Sequence, residues 1–218
     1  MTRSWFVTGT DTGIGKTFAA VALLHALRAR GLRAVGMKPV ASGCEATAEG
    51  WRNEDALALL AASDPAPAYA DVNPYALPAA TAPQLAARDV GVSVGLRVLL
   101  AAHARLSAGA DAVVVEGAGG WLAPMADGLD QSALVRVIDA DVVLVVGLRL
   151  GCLSHARLTA RAIEADGCRL VGWIGNCVHP DFDRVDDYLA LLREALPVPC
   201  LGVLAHATTG DPSSLMLP

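Results

Sequence analysis

The chain has 218 residues and a formal net charge of −5, with 54% of its residues apolar and 18% charged. That length suits one large domain or two small ones, and the apolar share supplies a sizeable core and excludes a disordered chain. The acidic balance argues against a broad nucleic-acid footprint, which needs a basic patch or stripe.

In chain order, "MTRSWFVTGTD" has no apolar h-region, so no secretory signal is expected. Within it, "SWFVTG" reads as a strand. "GTDTGIGKT", Gly9 to Thr17, comes next. The common phosphate-binding pattern is Gly, four residues, then Gly-Lys-Ser/Thr. Counting back from Gly15-Lys16-Thr17, the first glycine should be residue 10, but Thr10 stands there and the glycine is Gly9. The GKT itself is intact, and a helix over Thr17 to Arg30, closed by Gly31, follows. A glycine-rich backbone and a helix N-terminus would cradle a polyphosphate. Lys16 would neutralise its terminal oxygens, and Thr17 would offer a hydroxyl to Mg²⁺. Partition-type and nitrogenase-reductase-like ATPases carry a second lysine five residues before this one; here that position is Asp11.

"LRAVGMKPV" reads as a second strand, stopped by Pro39. Lys38 at its end is either a solvated charge or, given Ser42-Gly43 beyond it, a cation for an anionic substrate. Asp55, in "RNEDALALL", is either a helix-start acid that caps the helix or complements its dipole, or a ligand. Ala61 to Pro83 holds five prolines and reads as a loop draped over the sheet. Val92 to Ala108 is helix-compatible. "DAVVVEG" is a strand that ends in Glu116, the usual place for a Walker-B-like metal ligand. "GAGG", a backbone-donor turn, follows it. "VVLVVGL", Val142 to Leu148, is too short to span a bilayer and suits a strand buried on both faces. Leu153 to Ala165 is a helix, and "LVGWIGN" a strand ending in Asn176, which would read a base edge or merely satisfy the strand terminus. Asp183 to Leu196 is a helix, "VPCLGVL" a strand, and "AHATTGDPSSLMLP" a tail rich in turn formers.

Alternating strands and helices predict an α/β fold: a mostly parallel twisted sheet with helices on both faces. No composition shift marks a boundary, so residues 1–218 are expected to form a single domain, with 205–218 poorly ordered. The polar residues fall at the carboxyl ends of strands, where open α/β sheets bind ligands. Cys44, Cys152, Cys168, Cys177 and Cys200 form no CxxC and predict reduced thiols in a cytoplasmic protein. The five histidines show no metal-ligand spacing, and His25 and His103 read as helix-surface or packing residues.

Together "FVTGTDTGIGKT", "GMKPVASG", "RNEDALAL", "VNPY", "VEGAGGW", "LGC" and "GWIGN" resemble the dethiobiotin synthetases, in that family's order, from Phe6 to Asn176. The Gly9/Thr10 offset belongs to this family's version of the loop. The resemblance implies a P-loop NTPase-type fold and a homodimer. It implies closure of a ureido ring on 7,8-diaminopelargonic acid with CO₂ (or bicarbonate), ATP and Mg²⁺. It gives Lys38 and Lys16 the catalytic roles and Gly13, Ile14, Gly15, Lys16, Thr17, Phe18, Asp55, Glu116, Gly117, Ala118, Gly119, Asn176 and Cys177 the nucleotide, with Gly117 to Gly119 offering backbone donors. Thr17, Asp55 and Glu116 would hold the metal. Thr12 and Ser42 would meet the substrate, and Gly151, Cys152 and Ser154, supplied by the partner subunit, would receive its carboxylate. Ser154 stands where a common family pattern has Asn, and "GVLAHATTG" lacks the proline often found after the last strand.

Overall fold

The computed structural model describes residues 2–206 and 215–217. The strands are β1 (Arg3–Gly9), β2 (Ala34–Met37), β3 (Val40–Ala41), β4 (Glu45–Thr47), β5 (Gly50–Arg52), β6 (Tyr75–Ala76), β7 (Ala112–Glu116), β8 (Pro124–Ala126), β9 (Leu129–Asp130), β10 (Asp141–Gly147), β11 (Arg169–Asn176) and β12 (Cys200–Leu204). The helices are α1 (Lys16–Ala29), α2 (Glu54–Ala62), α3 (Tyr69–Val72), α4 (Pro83–Asp89), α5 (Leu96–Gly109), α6 (Gln131–Val137), α7 (Cys152–Ala165) and α8 (Val185–Ala195).

Six strands form one sheet in the order β12-β11-β10-β1-β7-β2, every neighbouring pair parallel. Residues of β7 and β10 are buried throughout, which is why both read as unbroken valine runs rather than alternating ones. Side chains still alternate between faces. Trp5, Val7, Val114, Val143 and Val145 pack with Leu23, Leu24 and Leu59 of α1 and α2. Phe6, Val113, Val115 and Val142 pack with Leu99 and Leu106 of α5 and Leu134 of α6. Leu144, Val146 and Trp173 pack under α7 and α8 through Ala156, Leu189 and Leu192. Each fully buried leucine contributes roughly 1.5–3 kcal/mol over its exposed state.

Three expectations change in detail. Helix α5 starts at Leu96 rather than Val92, because Gly95 in an extended conformation is its N-cap. The proline-rich stretch from Ala61 to Pro83 is not all loop: it contains α3 and β6, and β6 pairs in parallel with β3. Of the tail expected to be poorly ordered, residues 207–214 and 218 lie outside the described residues. Leu215 is buried in the core beside Leu201 and Leu204, and the Met216 N–H donates to the Leu201 carbonyl at 2.8 Å.

The order of the crossover connections, not the strand direction, reverses about β1. Strand β7 lies on one side of it and β10 on the other, which opens the crevice where doubly wound sheets bind ligands. The β1 exit carries Gly9 to Thr17, the β7 exit Glu116, and the β2 exit Lys38.

Candidate active site

The loop after β1 is held by packing as much as by hydrogen bonds. Ile14 is only 1% exposed. It fills the space between two strand-end glycines: a Cβ on Gly9 would stand 2.7 Å from Ile14 Cδ1, and one on Gly147 would stand 2.8 Å from Ile14 Cγ2. The displaced glycine noted in the sequence therefore has a steric reason. Gly15 begins α1 with φ +83°, and a Cβ there would lie 2.1 Å from Asn176 Nδ2. Asn176 Nδ2 donates to the Ile14 carbonyl at 2.8 Å. Its amide nitrogen thus braces the loop, and its Oδ1 accepts no hydrogen bond among the described residues. Lys16 Nζ donates to the Asp11 carbonyl at 2.8 Å, while Arg149 Nη2 holds the Asp11 carboxylate at 2.5 Å. Burial, with help from the neighbouring Lys38 charge, pulls Lys16 down to about 8.

Four residues distant in sequence meet beside this loop. Thr17 Oγ1 lies 2.7 Å from Asp55 Oδ1 and 2.9 Å from Glu116 Oε1. Lys38 Nζ donates to Asp55 Oδ2 at 2.8 Å and to Glu116 Oε1 at 2.6 Å. Lys38 and Glu116 are buried, their side chains 6% and 1% exposed, whereas Asp55 is 42% exposed. Burial works against the Lys38 ammonium, but Glu116 and Asp55 outweigh it and hold the lysine above its ordinary value. Burial raises Glu116 against the pull of Lys38. Asp55, also partly desolvated, is held low chiefly by Lys38. Asp55 is not the cap of its helix. Asn53 is the N-cap, its side chain accepting from the Ala56 N–H at 3.2 Å, so Asp55 is free to face Thr17 and Lys38.

The turn after Glu116 supplies fewer donors than expected. The Gly117 N–H donates to the Val7 carbonyl at 3.0 Å, and the Ala118 N–H to Gln131 Oε1 at 3.0 Å. Gly119 is then the member of the three whose N–H has no partner among the described residues. Gln131, fully buried, ties the turn down further, its Nε2 donating to the carbonyls of Gly120, Trp121 and Ala123 at 2.8–3.3 Å. Sequence reasoning missed Gln131, because its partners lie eight to thirteen residues away and no local pattern announces it. It also missed Asn53, although an Asn before Glu54-Asp55 is a readable N-cap signature.

A cleft of about 490 Å³ is lined by Thr12, Gly13, Gly15, Lys16, Thr17, Phe18, Lys38, Val40, Ala41, Ser42, Asn53, Asp55, Glu116, Ala118 and Gly119. A second cavity of about 240 Å³ is lined by Gly13, Gly15, Phe18, Asn176, Cys177, Val178, Ala205 and His206. The two share Gly13, Gly15 and Phe18, so the loop lies between them. Gly151, Cys152 and Ser154 line neither. Gly151 is the N-cap of α7, Cys152 is 2% exposed in the core, and Ser154 is exposed.

The donor set suits a hard divalent cation. Thr17 Oγ1 and two carboxylate oxygens converge, and Glu116 Oε2 is buried without a hydrogen-bond partner among the described residues. Hard oxygens with few protein ligands fit Mg²⁺, which keeps several waters.

Residues 3–212 match the AAA_26 family model, described as an AAA domain. The chain is 63% identical over 199 residues to a protein of Xanthomonas oryzae pv. oryzae named ATP-dependent dethiobiotin synthetase BioD, covering 91% of this chain and 89% of that one. It is 60% identical to the protein of that name from Xylella fastidiosa, over 97% and 94% of the two chains. Among solved structures it resembles a ParA family ATPase from Chlorobium tepidum (TM-score 0.60, 10% identity, 95% of this chain and 86% of that one). It also resembles the cell division protein ftsY of Thermotoga maritima (TM-score 0.59, 17% identity, 99% and 65%). At those identities the likeness is one of fold alone: a parallel α/β sheet of the P-loop type.

Proposed function

The chain belongs to the ATP-dependent dethiobiotin synthetase family, and from that premise we propose how its own residues divide the work. The reaction of the family is an ATP-dependent ring closure in biotin synthesis. One amine of 7,8-diaminopelargonic acid adds to CO₂ and loses a proton, giving a carbamate. A carbamate oxygen attacks the γ-phosphorus and the bond to the β-phosphate oxygen breaks, releasing ADP. The second amine then attacks the carbonyl carbon of the carbamic–phosphoric anhydride and loses a proton, and phosphate leaves as the ureido ring closes.

The difficulty is electrostatic. A carbamate anion has to approach a triphosphate, and two unit charges about 4 Å apart repel by roughly 4 kcal/mol at an effective dielectric near 20. The observation that carries the reading is Lys38, a buried ammonium at the wall of the cleft that also holds Lys16 and Thr17. We assign Lys38 to the carbamate and the γ-phosphoryl oxygens, which gain charge in the transition state. Lys16 exchanges its bond to the Asp11 carbonyl for the β and γ oxygens. The base occupies the cavity beside Asn176 and Cys177, the phosphates lie over Gly13 to Phe18, and Gly119 N–H is the donor left to the turn after Glu116. Thr12 and Ser42 meet the diamine. Thr17, Asp55 and Glu116 hold Mg²⁺, which when bound neutralises phosphate charge as a Lewis acid.

We also assign this chain to a homodimer. Gly151, Cys152 and Ser154 stand apart from the cleft of their own chain, and Leu150 beside them is 84% exposed. A partner's loop would bring this segment to the substrate carboxylate. Light scattering at micromolar concentration reads the assembly: a monomer across that range removes the shared site.

The experiment for the activity measures phosphate release from ATP with and without the diamine and bicarbonate, with mass spectrometry of the product. Release that needs both, with the ring-closed product present, is the expected result. Release indifferent to the diamine overturns the reading.

A further inference from the structure

We propose that Asn73 is a positioning residue that sets the spacing between Lys38 and Asp55 from behind the cleft. The inference rests on the reading of Lys38 and Asp55 given above. Asn73 is 3% exposed and follows α3. Its Nδ2 donates to the Lys38 carbonyl at 2.7 Å and to the Tyr75 carbonyl at 3.2 Å. Its Oδ1 accepts from the Tyr69 hydroxyl at 3.1 Å. The same hydroxyl oxygen accepts from the Asn53 N–H at 2.9 Å. Asn53 is the N-cap of α2, and Asp55 stands in the first turn of that helix.

The chain of bonds therefore runs Lys38, Asn73, Tyr69, Asn53, α2, Asp55. Its two ends are the groups that meet in the cleft at 2.8 Å. Both backbone polar groups of Lys38 are held at this point, since its N–H donates to the Val72 carbonyl at 2.7 Å. Two further contacts stiffen the relay. The Arg52 guanidinium lies 4.2 Å from the Tyr69 ring centre, and Asn53 Nδ2 reaches the Ser42 carbonyl at 3.4 Å. Both Asn73 amide protons and its carbonyl oxygen are used, so its orientation is unambiguous. A segment needing only to be covered could do so with apolar residues. A fully satisfied buried polar chain rigidifies one geometry instead, and this one ends on either side of the reacting groups. Displacements of about 1 Å at such a site can cost on the order of 10²-fold in rate.

The test compares Tyr69→Phe, Asn73→Ala and the double variant with the wild type, in steady-state kinetics and in crystal structures. Tyr69→Phe keeps the ring under Arg52 and removes only the hydroxyl. It is expected to fold normally, to keep its KM for ATP within about twofold, and to lose about tenfold in kcat, the equivalent of one net hydrogen bond. Asn73→Ala is expected to lose on the order of 10²-fold in kcat. The double variant should lose no more than Asn73→Ala, because the two act along one path. A Tyr69→Phe enzyme with kcat within about twofold of wild type overturns the proposal, as does a parallel change in kcat and in KM for ATP. Should the wild type release phosphate without the diamine, the functional reading falls. The spacing claim is then still decided by the Tyr69→Phe structure: a widened Lys38–Asp55 separation supports it, and an unchanged one overturns it.

Discussion

Lys38 is bound into the protein more deeply than a strand-end lysine suggests. It is the counter-charge of a buried glutamate as well as the proposed partner of the carbamate. Lys38→Ala should lower kcat by roughly 10²–10³-fold. It should also cost about 3–5 kcal/mol of stability, because Glu116 is left as an uncompensated buried charge. Adding Glu116→Gln should recover most of the stability and none of the turnover, with steady-state kinetics and chemical denaturation reading the two separately. Near-normal turnover of Lys38→Ala removes the lysine from the mechanism. His103 gives a second residue-scale test. Its ring lies 2.9 Å from Ser4 Oγ, and burial holds its pKa below the ordinary histidine value. The unfolded chain therefore takes up a proton near pH 6.5 that the folded chain refuses. Stability should fall as pH drops below about 6.5 and level off once the folded pKa is passed. His103→Gln should flatten urea-denaturation stability between about pH 7 and 5; an unchanged slope refutes it. Residue types were legible in the sequence where a strand end announced them, as at Glu116, but their pairings were not. The N-cap signature of Asn53 was there to be read, but nothing local told that Asn176 spends its amide nitrogen on Ile14.

The loop between β1 and α1 depends on two glycines for different reasons. Gly9 leaves room for Ile14, whereas Gly15 needs both its left-handed conformation and the space taken by Asn176. Gly15→Ala meets both obstacles, since a β-carbon at φ +83° is strained and would stand 2.1 Å from Asn176 Nδ2. ATP affinity should fall on the order of 10²-fold by calorimetry, a loss of about 3 kcal/mol, while far-UV circular dichroism stays as in the wild type. Unchanged affinity would show that the loop path is not the binding element. Core strands were legible because β7 and β10 are buried on both faces and carry unbroken apolar runs. The four residues of α3 and the two of β6 were not, because elements that short leave no periodicity amid prolines. The start of α5 was misplaced by four residues because apolar Val92 and Val94 continue the pattern that Gly95 interrupts.

At the scale of the molecule, three apolar clusters surround the six-stranded sheet, and each holds a buried tryptophan: Trp5, Trp121 and Trp173. We propose that they melt as one domain. In variants that retain one of these tryptophans, with the remaining ones changed to Phe, the fluorescence midpoint in urea should coincide with the circular dichroism midpoint of the same variant. A cluster that melts separately would divide the chain. The overall architecture was legible because strands and helices alternate along the sequence. The docking of Leu215 was not, since three apolar residues after a polar stretch carry no pattern. The strand order has a consequence for how the molecule comes into being. Strand β1 is synthesised well before its partners, residues 112–116 and 141–145. Until those are made, both of its edges stay unpaired, and the loop closures that bring them together are among the longest in the chain. The loop between β1 and α1 therefore cannot set until β10 arrives, because Gly147 is one wall of the slot that Ile14 occupies. During that wait the exposed edges of an apolar strand invite pairing with other chains. Refolding yield should fall with protein concentration, and nucleotide binding should be regained late.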